Sequence, residues 1–67
     1  MNITINGEPH VAPDRATLAG ALSTLGVVVE RGVAVAVNDR VVPRDKIPAF
    51  ELRPNDRILL ITATQGG

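Results

Sequence analysis

The chain contains no cysteine, tryptophan or tyrosine, and its 67 residues include one phenylalanine, Phe50, and one histidine, His10. Each shortage removes a class of chemistry. Without cysteine there is no disulfide to staple a small fold and no thiolate ligand, and a single histidine cannot assemble a metal site. Seven basic and seven acidic residues cancel to a formal charge of zero. No long-range field then gathers phosphate backbones, and one aromatic ring offers bases no stacking platform, so nucleic acid is not an expected partner. No apolar run approaches the roughly 20 residues needed to span a bilayer, and the opening MNITINGEPH lacks the charged and apolar regions of a signal peptide. A cytoplasmic protein with no membrane partner is expected. Asn2-Ile3-Thr4 matches the glycosylation triplet, but without a secretory signal it reads simply as strand.

What is abundant is aliphatic. The hydrophobic share is 45%, drawn almost wholly from Val, Ile, Leu and Ala, so these side chains must fill the core. A chain of this length forms one domain and buries only about 60% of the surface that its unfolded form exposes.

The periodicities divide the chain. Ile3 and Ile5 alternate with Asn2, Thr4 and Asn6 in the period of a half-buried strand, and Asn6-Gly7 signals a two-residue hairpin. The return strand is short, around Glu8 to Ala12, because Pro9 lacks a ladder donor and Pro13 ends the run. Leu18, Ala21, Leu22 and Leu25 then fall on one helical face, with Asp14 or Thr17 available as the cap and Gly26 placed to stop the helix. Val27 to Gly32 reads as a connection. Val33, Val35 and Val37 alternate with Ala34 and Ala36, which suits a strand buried on both faces, valines on one and alanines leaving room on the other. Asn38-Asp39 turns into a short strand, Arg40 to Val42, closed by Pro43. Arg44 to Phe50 reads as an irregular crossing, Pro54-Asn55-Asp56 as a turn, and Arg57 to Thr64 as the last strand. Strands on either side of one amphipathic helix predict an α+β roll.

Gln65-Gly66-Gly67 projects beyond the last strand. Glycine lacks a Cβ, so a diglycine end can thread a channel too narrow for side chains. An α-carboxyl group titrates near roughly 3.3 to 3.7, so at neutral pH it is an anion able to attack an electrophilic phosphorus. Small residues are also common at ordinary chain ends.

Four segments resemble the ThiS proteins, the sulfur carriers of thiamine biosynthesis, which have the ubiquitin-like β-grasp fold. These are Ile3-Thr4-Ile5-Asn6-Gly7, the helix from Thr17 to Gly26, Val33-Ala34-Val35-Ala36-Val37-Asn38 leading to Val41-Val42-Pro43-Arg44, and Asn55-Asp56-Arg57-Ile58-Leu59-Leu60-Ile61 before the diglycine. The third is the most specific. The resemblance implies a mixed sheet of four to five strands packed on one helix, about Thr17 to Leu25, with a flexible tail at residues 65–67. It implies that Gly67 is adenylated by a ubiquitin-activating-type enzyme using ATP and magnesium, that a sulfur donor system converts it to a thiocarboxylate, and that thiazole synthase accepts the sulfur. The carrier itself then binds no cofactor and has no catalytic side chains. Gly66 and Gln65 would enter the partner's active site with Gly67, although Gln65 stands where many relatives have a small residue.

Arg44, Ile58 and Leu60 are candidate docking residues. Arg44 can equally be a solvated arginine at a strand end, and the run Ile58 to Ile61 needs cover on both faces or leaves one for a partner. Phe50 suits packing in a core short of large side chains. Asp14 reads as a cap, and His10 as a surface residue without a role. No paired carboxylates, activated nucleophile or phosphate loop can be assembled, which argues against an enzyme. Two other readings remain open: a related carrier serving molybdopterin or cysteine synthesis, and a swapped-hairpin DNA-binding module, which Arg40 to Leu60 also resembles.

Overall fold

A computed structural model describes residues 1–27 and 32–62. Its elements run β1 (Asn2–Ile5), β2 (Glu8–Val11), α1 (Leu18–Thr24), β3 (Val33–Val37), β4 (Arg40–Val42), a 3₁₀ segment (Arg44–Ala49) and β5 (Arg57–Thr62). The strands form one five-stranded mixed sheet in the order β2-β1-β5-β3-β4. Only β1 and β5 pair in parallel, through Thr4 with Arg57 and Ile5 with Ile58. The α+β roll of a β-grasp fold is therefore present, with the last strand of the chain at the centre of the sheet. The Arg40 to Leu60 segment builds β4 and β5 on either side of β3 of the same chain. That topology differs from a swapped hairpin.

Local chemistry accounts for the elements. Asn6 and Gly7 both have positive φ, 51° and 82°, the two-residue turn whose twist matches that of the flanking strands. Asn38 and Asp39, at 52° and 69°, make the equivalent turn between β3 and β4. Helix α1 starts where the Thr17 side chain accepts a hydrogen bond from the Gly20 N–H at 3.0 Å. Asp14 does not cap it; this exposed carboxylate lies 3.8 Å from the Met1 ammonium instead. At the other end Gly26, at φ +72°, donates to the Ser23 carbonyl at 3.0 Å, while Val27 donates back to Leu22 at 2.8 Å. This pair of bonds uses carbonyls that the helix would otherwise strand, and it needs a left-handed residue that glycine adopts freely. The Val28 to Arg31 part of the expected connection and the Ala63-Thr64 end of the expected last strand lie outside the described residues.

The core lies between α1 and one face of the sheet. Ile3, Ile5, Leu18, Leu22, Val35, Val37, Val42, Ile47, Leu52 and Ile58 are buried there, with Phe50 and Leu60 packed against it. The segment read from sequence as an irregular crossing winds into a 3₁₀ turn that drops Ile47 into this core. The chain then returns along the helix start, where Leu18 donates to the Phe50 carbonyl at 2.8 Å and Leu52 to the Ala16 carbonyl at 2.9 Å. Among the described residues no helix is long and apolar enough to cross a membrane.

Candidate functional site

β5 is the element that leads to Gln65, Gly66 and Gly67, which themselves lie outside the described residues. It sits between β1 and β3, so its position is fixed from both sides. Successive side chains of a strand point to opposite faces, and the register settles which face each residue of the apolar run takes. Ile58 stands opposite Ile5 and Val37, and Leu60 opposite Val35, all on the helix side. Ile58 is only 2% exposed, and Leu60 is half-buried against the core.

This corrects the expectation that Ile58 and Leu60 meet a partner. The exposed members of the run are their neighbours, Leu59 at 48% and Ile61 at 45%. They lie on the face away from the helix, where Leu59 stands opposite Ala36 and Ile61 opposite Ala34. Val41, 64% exposed, stands on the far side of Ala36. Ala36 is nevertheless buried, because larger neighbours flank its single methyl group on both sides. Val41, Ala36, Leu59, Ala34 and Ile61 thus make a continuous aliphatic surface across three strands. Its upper border is charged: Arg57 Nη2 meets Asp39 Oδ2 at 3.3 Å in solvent.

The entry to β5 is held by a polar clasp. Asp56, 7% exposed, accepts from Asn38 Nδ2 at 2.9 Å and from the Arg53 N–H at 2.8 Å. Asn38 Oδ1 in turn accepts from the Arg57 N–H at 2.9 Å. The buried carboxylate of Asp56 thus has both its oxygens satisfied. Farther along, Asn6 Oδ1 accepts from the Leu60 N–H at 2.9 Å.

Other candidates fall away from this strand. Arg44 is exposed at the start of the 3₁₀ segment. His10, on edge strand β2, is half-buried rather than fully on the surface. Arg40, Lys46 and Arg53 share an open groove with Glu51, Asp56 and Phe50, so its charge is mixed. Among the described residues no group of three His, Cys, Asp or Glu side chains could hold a metal ion.

The comparisons with known proteins agree with this architecture. The model of the ThiS family matches residues 2–67. The chain belongs to the ThiS family. The crystal structure of a thiamine biosynthesis protein (ThiS) from Geobacter metallireducens superimposes with a TM-score of 0.84 at 28% identity, over all of both chains. A solution structure of a thiamine biosynthesis protein from the same organism gives 0.72 at 28% identity, over all of this chain and 88% of that one. A thiazole synthase from Magnetococcus marinus is 42% identical over 67 residues, the whole of this chain but 20% of the relative. This ThiS-family chain therefore spans about a fifth of that enzyme's length.

Sequence reasoning missed Val41, Leu59, Ile61 and Asn6. A run of four apolar residues shows no alternation, and its polar ends, Arg57 and Thr62, fall on opposite faces of the strand, so neither fixes the phase. Asn6 had a sufficient explanation as a turn residue, and its second bond joins positions 54 residues apart.

Proposed function

We propose that this ThiS-family chain is the sulfur carrier of thiazole formation, with the Gly67 carboxylate as its reacting group. One carboxylate oxygen attacks the α-phosphorus of ATP on a ubiquitin-activating-type enzyme that supplies the magnesium. The new C–O–P link displaces pyrophosphate, and the carboxyl carbon gains AMP as a leaving group. Sulfide delivered by a donor system then attacks the carboxyl carbon, the new C–S bond replacing the C–O bond to AMP, and AMP departs to leave a thiocarboxylate. Sulfur bears this charge more softly than oxygen and is the better nucleophile towards the next acceptor, which in this reading is a thiazole synthase.

The observation that carries the proposal is the family match, which runs through the diglycine to residue 67. The resemblance to a thiazole synthase along the whole of this chain supports the choice of acceptor. The fold supports this reading in one respect: the central strand leads to the end on which partners would act. Gly66 lets that end enter a narrow channel and Gln65 precedes it. The aliphatic face of Val41, Leu59 and Ile61 is the docking surface in this reading; its apolar side chains and charged border are what a protein interface presents. A carrier for molybdopterin or cysteine synthesis would use the same end, and the acceptor distinguishes it.

The test uses the full chain with its activating enzyme, ATP, magnesium and a sulfur source. Intact mass spectrometry should show one oxygen replaced by sulfur, localised to Gly67 by fragmentation, and the sulfur should pass to thiazole synthase. An unchanged mass, or rescue of a thiamine auxotroph by a chain lacking Gly67, rules the proposal out.

A further inference from the structure

The hydrogen bonds along β5 leave a main-chain edge that is distinct from the aliphatic face. The amides and carbonyls of a strand point alternately to its two sides. Arg57 bonds towards β3, since Asn38 donates to its carbonyl at 2.8 Å. Residues 56, 58 and 60 bond towards β1: Thr4 donates to the Asp56 carbonyl at 3.0 Å, Asn6 to the Ile58 carbonyl at 2.9 Å, and Leu60 donates to Asn6 Oδ1 at 2.9 Å. Thr62 continues the same alternation.

β1 stops short of this row. It ends at Ile5, and at Asn6-Gly7 the chain turns away into β2. The Asn6 side chain substitutes for a main-chain acceptor at Leu60, and there the ladder ends. The Leu60 C=O and the Thr62 N–H point past the hairpin, and among the described residues no main-chain group pairs with them. The central strand of the sheet therefore has a short edge at its C-terminal end, although its first half is fully paired.

We infer that this edge takes an extended main-chain segment of the activating enzyme, so that β5 is lengthened into an intermolecular ladder as the chain end enters the active site. The inference rests on the carrier reading above. Its occupant follows from position: the edge lies directly before Ala63 to Gly67, so the enzyme that receives Gly67 must pass beside Leu60 and Thr62. Unpaired strand edges accept such additions through main-chain bonds, which give affinity and fix register without depending on side-chain identity. Asn6 sets where the added strand begins, because it already occupies the Leu60 N–H. The remaining pair, a carbonyl and the amide two residues on, is what one residue of a strand parallel to β5 would bridge.

The experiment combines amide hydrogen exchange with binding, using the isotopically labelled full chain and the purified activating enzyme. In the free chain the Leu60 amide is expected to be protected by Asn6 and the Thr62 amide to exchange freely; in the complex the Thr62 amide becomes protected. Thr62→Pro removes the outward donor without taking a bond from β3, since residue 62 does not use its N–H on that side, and should weaken binding about tenfold. Thr62→Val keeps the N–H and should bind within about twofold of the parent. Free exchange of Thr62 in a formed complex, or unaltered binding by Thr62→Pro, overturns the inference and leaves the carrier reading standing. If Thr62→Pro fails to fold, the exchange measurement on the unaltered chain still decides. Failure of the unaltered chain to bind or be adenylated overturns the carrier reading, and this inference with it.

Discussion

Asn38 Nδ2 donates to Asp56 Oδ1 at 2.9 Å, joining the turn between β3 and β4 to the residue that begins the central strand. Asp56 is buried and also accepts from the Arg53 amide, so truncating it removes the acceptor of two bonds in one stroke. Asp56→Ala should cost about 2–3 kcal/mol of folding stability, read from urea unfolding. Asn38→Ala should be less than additive with it, with a coupling of at least about 0.5 kcal/mol in a double-mutant cycle. Simple additivity would show that the two side chains act separately.

Adjacent residues of β5 should separate stability from recognition. Ile58→Ala removes a fully buried side chain and should cost about 2–5 kcal/mol, a large share of the stability of so small a domain. Leu59→Ala and Ile61→Ala, at half-exposed positions, should each cost under about 1 kcal/mol. On the proposed docking face, however, their combination should weaken binding to the activating enzyme at least about tenfold. Denaturant melts and titration calorimetry on the same proteins check both halves. Full-strength binding by the double variant would remove the aliphatic face from the interface.

The two ends of α1 are independent stabilising devices. Thr17→Ala should lose about 1 kcal/mol and Thr17→Ser little, because serine keeps the acceptor for the Gly20 amide. Gly26→Ala meets no atom within 4 Å of the added Cβ, so its cost is backbone strain alone, about 1–2 kcal/mol. For a domain of this size each kcal/mol should move the thermal midpoint by about 4–8 °C. A larger loss at Gly26 would require a steric contact that the structure does not contain.

On the proposed carrier role, deleting Gly67 should abolish thiocarboxylate formation, and Gly66→Val should slow adenylation by at least about tenfold if the end threads a channel too narrow for side chains. Pyrophosphate release in the presence of saturating ATP gives the rate. Undiminished release from Gly66→Val would mean that the channel accommodates a branched side chain.

The sequence was legible wherever structure is decided by neighbours in the chain. Alternating isoleucines, Asn6-Gly7, Gly26 and the stripe of Leu18, Ala21 and Leu22 each write their element locally and are found in place, whereas Leu25, expected on the same stripe, caps the helix end and is 41% exposed. The choice between Asp14 and Thr17 as cap was resolved by geometry, since only Thr17 reaches the Gly20 amide. The 3₁₀ turn at Arg44–Ala49 was not legible, because Pro43 and Pro48 obscure a six-residue winding held by burial of Ile47. The phase of β5 was not legible either: four apolar residues in a row satisfy either face, and only pairing with β1 and β3 chooses between them. Expecting Ile58 and Leu60, rather than Leu59 and Ile61, on the open face is the direct result of that missing phase.

The parallel pairing of β1 with β5 has a mechanical consequence. A pull applied between the start of β1 and the end of β5 runs along two neighbouring strands in opposite senses, so the Thr4–Asp56 and Asn6–Ile58 hydrogen bonds are loaded side by side in shear. They share the strain and give way together, whereas a hairpin pulled open from its free end breaks one rung at a time. Tension applied between those two points therefore meets a domain built to hold its shape along that line.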